Sequence, residues 1–119
     1  MGLTNLTIQI ANPSRPNVFE PVDFLIDSGA TYSVVPRPVL ERLGIPKLVP
    51  KIFRVAFGQQ TIERWIGMAI FRYQGSVGGG TVIFGAEGDA TLLGVVTLEQ
   101  LGYDLYPLRR ELIPLPMMP

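Results

Sequence analysis

An all-β fold is the class this sequence predicts, and three observations predict it. Short runs alternate apolar and polar residues with period two, as half-buried strands do, the first being Leu3-Thr4-Asn5-Leu6-Thr7-Ile8-Gln9-Ile10. Thirteen Gly and eleven Pro punctuate the 119 residues, so turns are frequent and long helices are not. An apolar fraction of 47% against 17% charged residues excludes a disordered chain, and the length suits one domain with one core.

The elements follow in order. After the first strand, Asn12-Pro13-Ser14-Arg15-Pro16-Asn17 is a turn. Val18 to Ile26, broken by Pro21, returns as a second strand and pairs with the first. Tyr32-Ser33-Val34-Val35 is a short strand. Pro38 in the first turn and Gly44 just past the end frame a short helix through Val39-Leu40-Glu41-Arg42-Leu43. Ile45 to Pro50 is an extended connector, because each Pro keeps its predecessor out of helical geometry. Lys51 to Gly67 reads as a hairpin turning at Gly58-Gln59-Gln60. Met68 to Tyr73 and Thr81 to Phe84 are two more strands, joined through the glycine-rich Gln74 to Gly80. No Lys-Ser/Thr follows those glycines, so they are not a phosphate loop. Gly85 to Asp89 turns the chain into Leu92-Leu93-Gly94 and a helix at Thr97-Leu98-Glu99-Gln100-Leu101, stopped by Gly102. Two final strands flank Pro107. The reading is one domain over 1–113 with a Pro-rich tail over 114–119.

Charge and composition narrow the function. Ten basic and ten acidic residues cancel, and no basic cluster beyond Arg109-Arg110 offers a nucleic-acid footprint. With no Cys and no His, thiol and histidine-assisted nucleophilic catalysis are excluded, as are the common zinc and copper ligand sets. No cofactor or metal is expected. No apolar run approaches the ~20 residues that span a bilayer, and the N-terminal residues lack a signal-peptide pattern. A cytoplasmic protein with no membrane contact is the expectation.

One stretch carries chemistry. The apolar run Phe24-Leu25-Ile26 ends in Asp27, a charge that costs free energy to bury alone, followed by Ser28, Gly29, Ala30 and Thr31. Turn chemistry selects the same residue types, so the stretch alone leaves two readings open, a plain turn and a site. Asp-Ser-Gly-Ala-Thr behind an apolar strand resembles the active-site motif of aspartic proteases. Leu92-Leu93-Gly94 with the helix behind it resembles the apolar-apolar-Gly motif of the retroviral type, the retropepsins, and the order of catalytic loop, flap region and second motif is also similar to theirs. The resemblance covers roughly Leu3 to Ile113.

An internal echo accompanies it: Leu40-Glu41-Arg42-Leu43-Gly44 and Leu98-Glu99-Gln100-Leu101-Gly102 agree at four of five positions. Leu-x-x-Leu-Gly is also what any one-sided short helix with a glycine stop looks like. An approximate twofold repeat is the favoured reading, with Asp27-Ser28-Gly29 set against Leu92-Leu93-Gly94 and no acid in the second half.

The resemblance implies a small closed β-barrel of retropepsin type with a flap hairpin and one or two short helices. It implies an aspartic endopeptidase that acts on an extended peptide or unfolded protein. That chemistry needs two carboxylates sharing a proton at about 3 Å. The chain has four Asp, namely Asp23, Asp27, Asp89 and Asp104, and only Asp27 stands in an Asp-Ser/Thr-Gly context. A homodimer is therefore implied, with one Asp27 from each subunit. Ser28 would hold the two loops together, Gly29 would admit substrate backbone, and Ala30 and Thr31 would line subsites. The flap tip would fall at Phe57-Gly58. Leu92, Leu93, Val34 and Ile52 are candidate subsite walls and equally candidate core. Interleaved termini, Leu3–Ile10 with Arg110–Ile113, would join the subunits. The alternative is a non-catalytic retropepsin-like module for dimerisation or peptide binding.

Overall fold

The structure, a computed structural model, describes residues 4–27, 29–54, 60–106 and 111–114. The expected Ser28, the flap tip Phe57-Gly58 and the tail beyond Pro114 lie outside the described residues. Nine strands and two six-residue helices are described: β1 (Thr4–Asn12), β2 (Arg15–Ile26), β3 (Ser33–Pro36), α1 (Arg37–Arg42), β4 (Val49–Arg54), β5 (Thr61–Tyr73), β6 (Ser76–Gly85), β7 (Leu92–Leu93), α2 (Val95–Gln100), β8 (Tyr103–Tyr106) and β9 (Glu111–Pro114). The protein is mostly β, as the alternation predicts. None of the described helices is long and apolar enough to cross a membrane.

Seven strands form one sheet in the order β1-β2-β7-β3-β6-β5-β4, and β1 also pairs with β5 through Gln9–Ala11 against Ile70–Arg72. The series of pairings therefore returns to its first strand. β8 and β9 make a separate antiparallel pair. Period-two patterning decides what points inward. Ile8 and Ile10 of β1, Val22, Phe24 and Ile26 of β2, and Ala69 and Phe71 of β5 are buried, while Thr7, Gln9, Asp23 and Met68 between them are exposed. Phe24 and Phe71 meet at 6.2 Å between ring centres, and Val35, Leu40, Val82, Phe84, Leu93 and Leu98 belong to the same core.

Several boundaries differ from the sequence reading, among them the start of β4 at Val49, inside the expected connector. The first turn is shorter than Asn12 to Asn17: β1 runs to Asn12 and β2 starts at Arg15. Asn12 tightens it by accepting the Ser14 N–H at 2.9 Å and donating to the Leu43 carbonyl at 3.0 Å. The run Thr61–Ile66 and the run Met68–Tyr73 are one strand, because β6 pairs with β5 from Ile66 through Gly67 to Tyr73. The β5–β6 connection is only Gln74-Gly75. Both residues have positive φ, 47° and 83°, as a twist-matched two-residue hairpin turn requires. Gly78, Gly79 and Gly80 are consequently strand residues in β6, not loop.

The internal echo is present, but its register is not the one the motifs imply. β2 and β7 pair in parallel (Leu25↔Leu92, Ile26↔Leu93), β3 and β6 pair in parallel (Val34↔Ile83, Val35↔Phe84), and β3 meets β7 at Val34↔Leu92. Exchanging β2 with β6 and β3 with β7 exchanges the two parallel pairs, and Val34↔Leu92 lies at the crossing point. α1 and α2 follow β3 and β7, and each stops at a glycine of positive φ, Gly44 at 72° and Gly102 at 86°. Leu92-Leu93-Gly94 is thus the counterpart of the β3 end, not of Asp27-Ser28-Gly29. Asp27 itself falls opposite Gly85, so the second half still lacks an acid there.

Candidate active site

β2 delivers Asp27 at the end of its buried run, immediately after Ile26, which pairs with Leu93. Asp27 is half-buried, its Oδ1 accepts the Gly29 N–H at 2.9 Å, and its carbonyl accepts the Ala30 N–H at 3.0 Å. The carboxylate is therefore fixed by its own loop. Among the described residues no cation forms an ion pair with it.

α2 supports this loop from behind. The first backbone N–H groups of a helix have no partner within it, and here two of them donate to the loop: Val95 N–H to the Ala30 carbonyl at 2.8 Å and Val96 N–H to the Thr31 carbonyl at 3.2 Å. Ser33 adds a third tie. Its Oγ accepts the Gly94 N–H at 2.9 Å and lies 2.7 Å from Thr97 Oγ1, with both side chains buried. Gly94 is packed so closely that an added Cβ would lie 2.4 Å from the Tyr32 carbonyl carbon and 2.5 Å from the Thr31 oxygen. The second motif thus has a physical role: it is the seat of the Asp27 loop. The helix begins at Val95 and not at Thr97, and the loop carbonyls satisfy its first N–H groups.

In front of the loop lies a cavity of about 440 Å³, lined by Gly29, Ala30, Thr31 and Tyr32 on one side and by Phe53, Ile62 and Arg64 of the β4–β5 hairpin on the other. Its volume is within the range of small-ligand sites. Of the four candidate wall residues, Val34 and Leu92 line it. Leu93 is fully buried in the core, and Ile52 is 66% exposed on the hairpin. The hairpin pairs up to Arg54↔Thr61, the last described pair before the expected tip.

Among the lining residues that sequence reasoning did not single out are Arg64 and Asp89. Arg64 of β5 and Asp89 of the β6–β7 loop form a forked ion pair, Nε to Oδ2 at 2.8 Å and Nη2 to Oδ1 at 3.0 Å. Asp89 was legible only as a turn residue, and nothing in sequence joins it to an arginine 25 positions away. The hydrogen bond from Arg64 holds the Asp89 carboxyl below its ordinary value of 3.8, against burial and with help from the Ala86 N–H. A depressed carboxylate contributes stability that is complete above the unfolded-state value and is lost as pH falls through the lower folded-state value. Wild type should therefore exceed Asp89→Asn by no more than about 1 kcal/mol at neutral pH, since the pair is partly exposed. The two urea-unfolding free energies should converge below the ordinary aspartate range. A difference that persists at pH 2 would contradict this assignment. Asp23, by contrast, is an exposed strand charge that accepts the Thr7 hydroxyl from β1.

With this geometry in hand, comparison gives the class. Residues 11–69 match the model of the aspartyl protease family, a span that includes Asp27 and the β4–β5 hairpin and stops short of Leu92. Over that span the chain is similar to the aspartyl protease family, consistent with the retropepsin type. No curated protein matches it.

Proposed function

We propose that the protein is an aspartic endopeptidase that works as a homodimer, with Asp27 of each subunit forming the catalytic dyad. The observation that carries this reading is the seating of Asp27: one half-buried carboxylate, fixed by the Gly29 N–H, on a loop clamped by α2. The residues that follow it, Gly29, Ala30 and Thr31, line the cavity beside the β4–β5 hairpin, although Asp27 itself is not a lining residue. Two such carboxylates brought together cannot both ionise. The anionic one takes a proton from water, the water attacks the peptide carbonyl, and the protonated one hydrogen-bonds the carbonyl oxygen and returns a proton to the leaving amine. An extended peptide bound through its backbone is the substrate. Gly29, Ala30 and Thr31 form the loop that receives it, the hairpin carrying Phe57-Gly58 is the flap, and Leu92-Leu93-Gly94 is the structural second motif. The returning strand order supports a small closed barrel, and the domain is read as 1–113 followed by the tail 114–119, with β9 reaching Pro114.

The pairings leave two candidate surfaces for subunit docking. β1 is flanked by β2 along its length and by β5 only at Gln9–Ala11, so the second edge of Thr4–Ile8 has no strand partner among the described residues. β8 and β9 pair only with each other among the described residues, and a lone two-stranded hairpin is marginal in water. Packing against the same hairpin of a second copy would give four strands about a twofold axis.

Subunit mixing tests the shared dyad. Wild type equilibrated with a nine-fold excess of Asp27→Asn should retain about a tenth of its hydrolysis of an unfolded protein, because most wild-type chains then sit in mixed pairs. Undiminished activity would mean a site complete within one chain.

A further inference from the structure

The Arg64–Asp89 pair is tied at both ends more firmly than an ordinary surface ion pair. Asp89 Oδ2 also accepts the Ala86 N–H at 2.8 Å, and the Asp89 N–H donates to the Ala86 carbonyl at 3.0 Å. The carboxylate is thereby built into its own turn. Arg64 Nη1 donates to the Glu63 carbonyl at 2.8 Å, which fixes the guanidinium plane to β5. The side chains are 22% and 25% exposed, and both residues line the cavity.

A second tie lies across the cavity. Tyr32, just past the Asp27 loop, meets Phe53 of β4 edge-on at 6.4 Å, and Lys51 Nζ stands 5.5 Å from the Tyr32 ring. The hairpin is therefore fastened at two places, to the end of the Asp27 loop and to the loop that leads into Leu92-Leu93-Gly94. Ile62, Ile83 and Leu92 are among the apolar residues that line the cavity with Tyr32 and Phe53. A partly exposed ion pair adds little stability, but a two-bond Arg–carboxylate fork fixes distance and orientation. What this pair fixes is the height of the hairpin above the Asp27 loop.

We propose that the Arg64–Asp89 pair is a positioning strut: it sets the width of the cavity and so determines which peptide side chains the site accepts. The proposal rests on the reading that this cavity receives a peptide. Cutting the strut leaves the part of the hairpin beyond the β5–β6 pairing, which ends at Ile66↔Ile83, held at Tyr32 alone among the described contacts, and the cavity then ceases to discriminate by size.

The test uses the full chain with Asp27→Asn, which prevents turnover, and fluorescein-labelled peptides identical except for a central Leu or Trp. Binding is read by anisotropy. With the strut intact the Leu peptide should bind about ten-fold tighter than the Trp peptide, and Asp89→Asn or Arg64→Gln should bring the two within about two-fold. Arg64→Lys, which keeps the charge but not the fork, should fall between. A purely structural pair would lower the melting temperature and leave the ratio unchanged, which overturns the proposal, as does binding that ignores the central residue or does not occur. Hydrolysis is scored separately on the chain that retains Asp27. Size-selective binding without cleavage would remove the endopeptidase reading and leave the strut, whereas cleavage without size selection would do the reverse.

Discussion

Asp27→Asn should abolish hydrolysis of an unfolded protein while leaving the fold and the dimer intact. The amide keeps an oxygen where Oδ1 accepts the Gly29 N–H at 2.9 Å, so the turn that shapes the loop survives. What is lost is the proton. In the proposed dimer both members of the dyad become amides, which can neither draw a proton from water nor share one, and positioned acid–base catalysis is worth roughly 10²–10⁴-fold in rate. A fall of at least that size is expected between mildly acidic and neutral pH, read by gel and mass spectrometry of the cleaved substrate. Circular dichroism and sedimentation should match wild type. Cleavage that survives the substitution would assign the chemistry to another residue.

The largest structural effect is expected at Gly94. An added Cβ would meet Tyr32 C at 2.4 Å, Thr31 O at 2.5 Å and Thr31 C at 2.7 Å. All three are backbone atoms, so no side chain can swing aside. Either the Asp27 loop or the start of α2 must shift, and with it the bonds from Val95 and Val96 to Ala30 and Thr31. Overpacking of this kind costs about 3 kcal/mol or more. Gly94→Ala should therefore show a urea midpoint well below wild type, and any folded fraction should lose hydrolysis because the loop is displaced. Gly79→Ala is the control. Its Cβ would meet only the Ala69 carbonyl at 3.5 Å, and the change should stay within about 1 kcal/mol. Equal midpoints for the two variants would remove the close approach as the reason for a glycine in the second motif.

The mostly β class and the carboxylate proposed as catalytic were legible because their causes are local. Alternation along Thr7-Ile8-Gln9-Ile10 and Val22-Asp23-Phe24 dictates strands with one buried face, whatever their partners. Leu-x-x-Leu-Gly dictates two short helices with glycine stops, and both are present, ending at Gly44 and Gly102. Asp27 stood out because an apolar run ended in a charge. By itself, then, the sequence determined which segments are strands, where the helices stop and which acid is singled out.

Tertiary structure decided the neighbours. Period-two patterns fit several partners and registers equally well, so nothing local distinguishes Leu92-Leu93 lying parallel to Leu25-Ile26 from Leu92-Leu93 lying opposite Asp27. The same holds for the contacts that hold the site. Ser33 and Thr97 are 64 residues apart, Arg64 and Asp89 are 25 apart, and each pair is made only when the sheet brings β3 to α2 and β5 to the β6–β7 loop. Residue type and spacing carry local geometry. Long-range pairing is set by which register buries every apolar face and satisfies every buried polar group at once, a condition on the whole chain that no single segment contains.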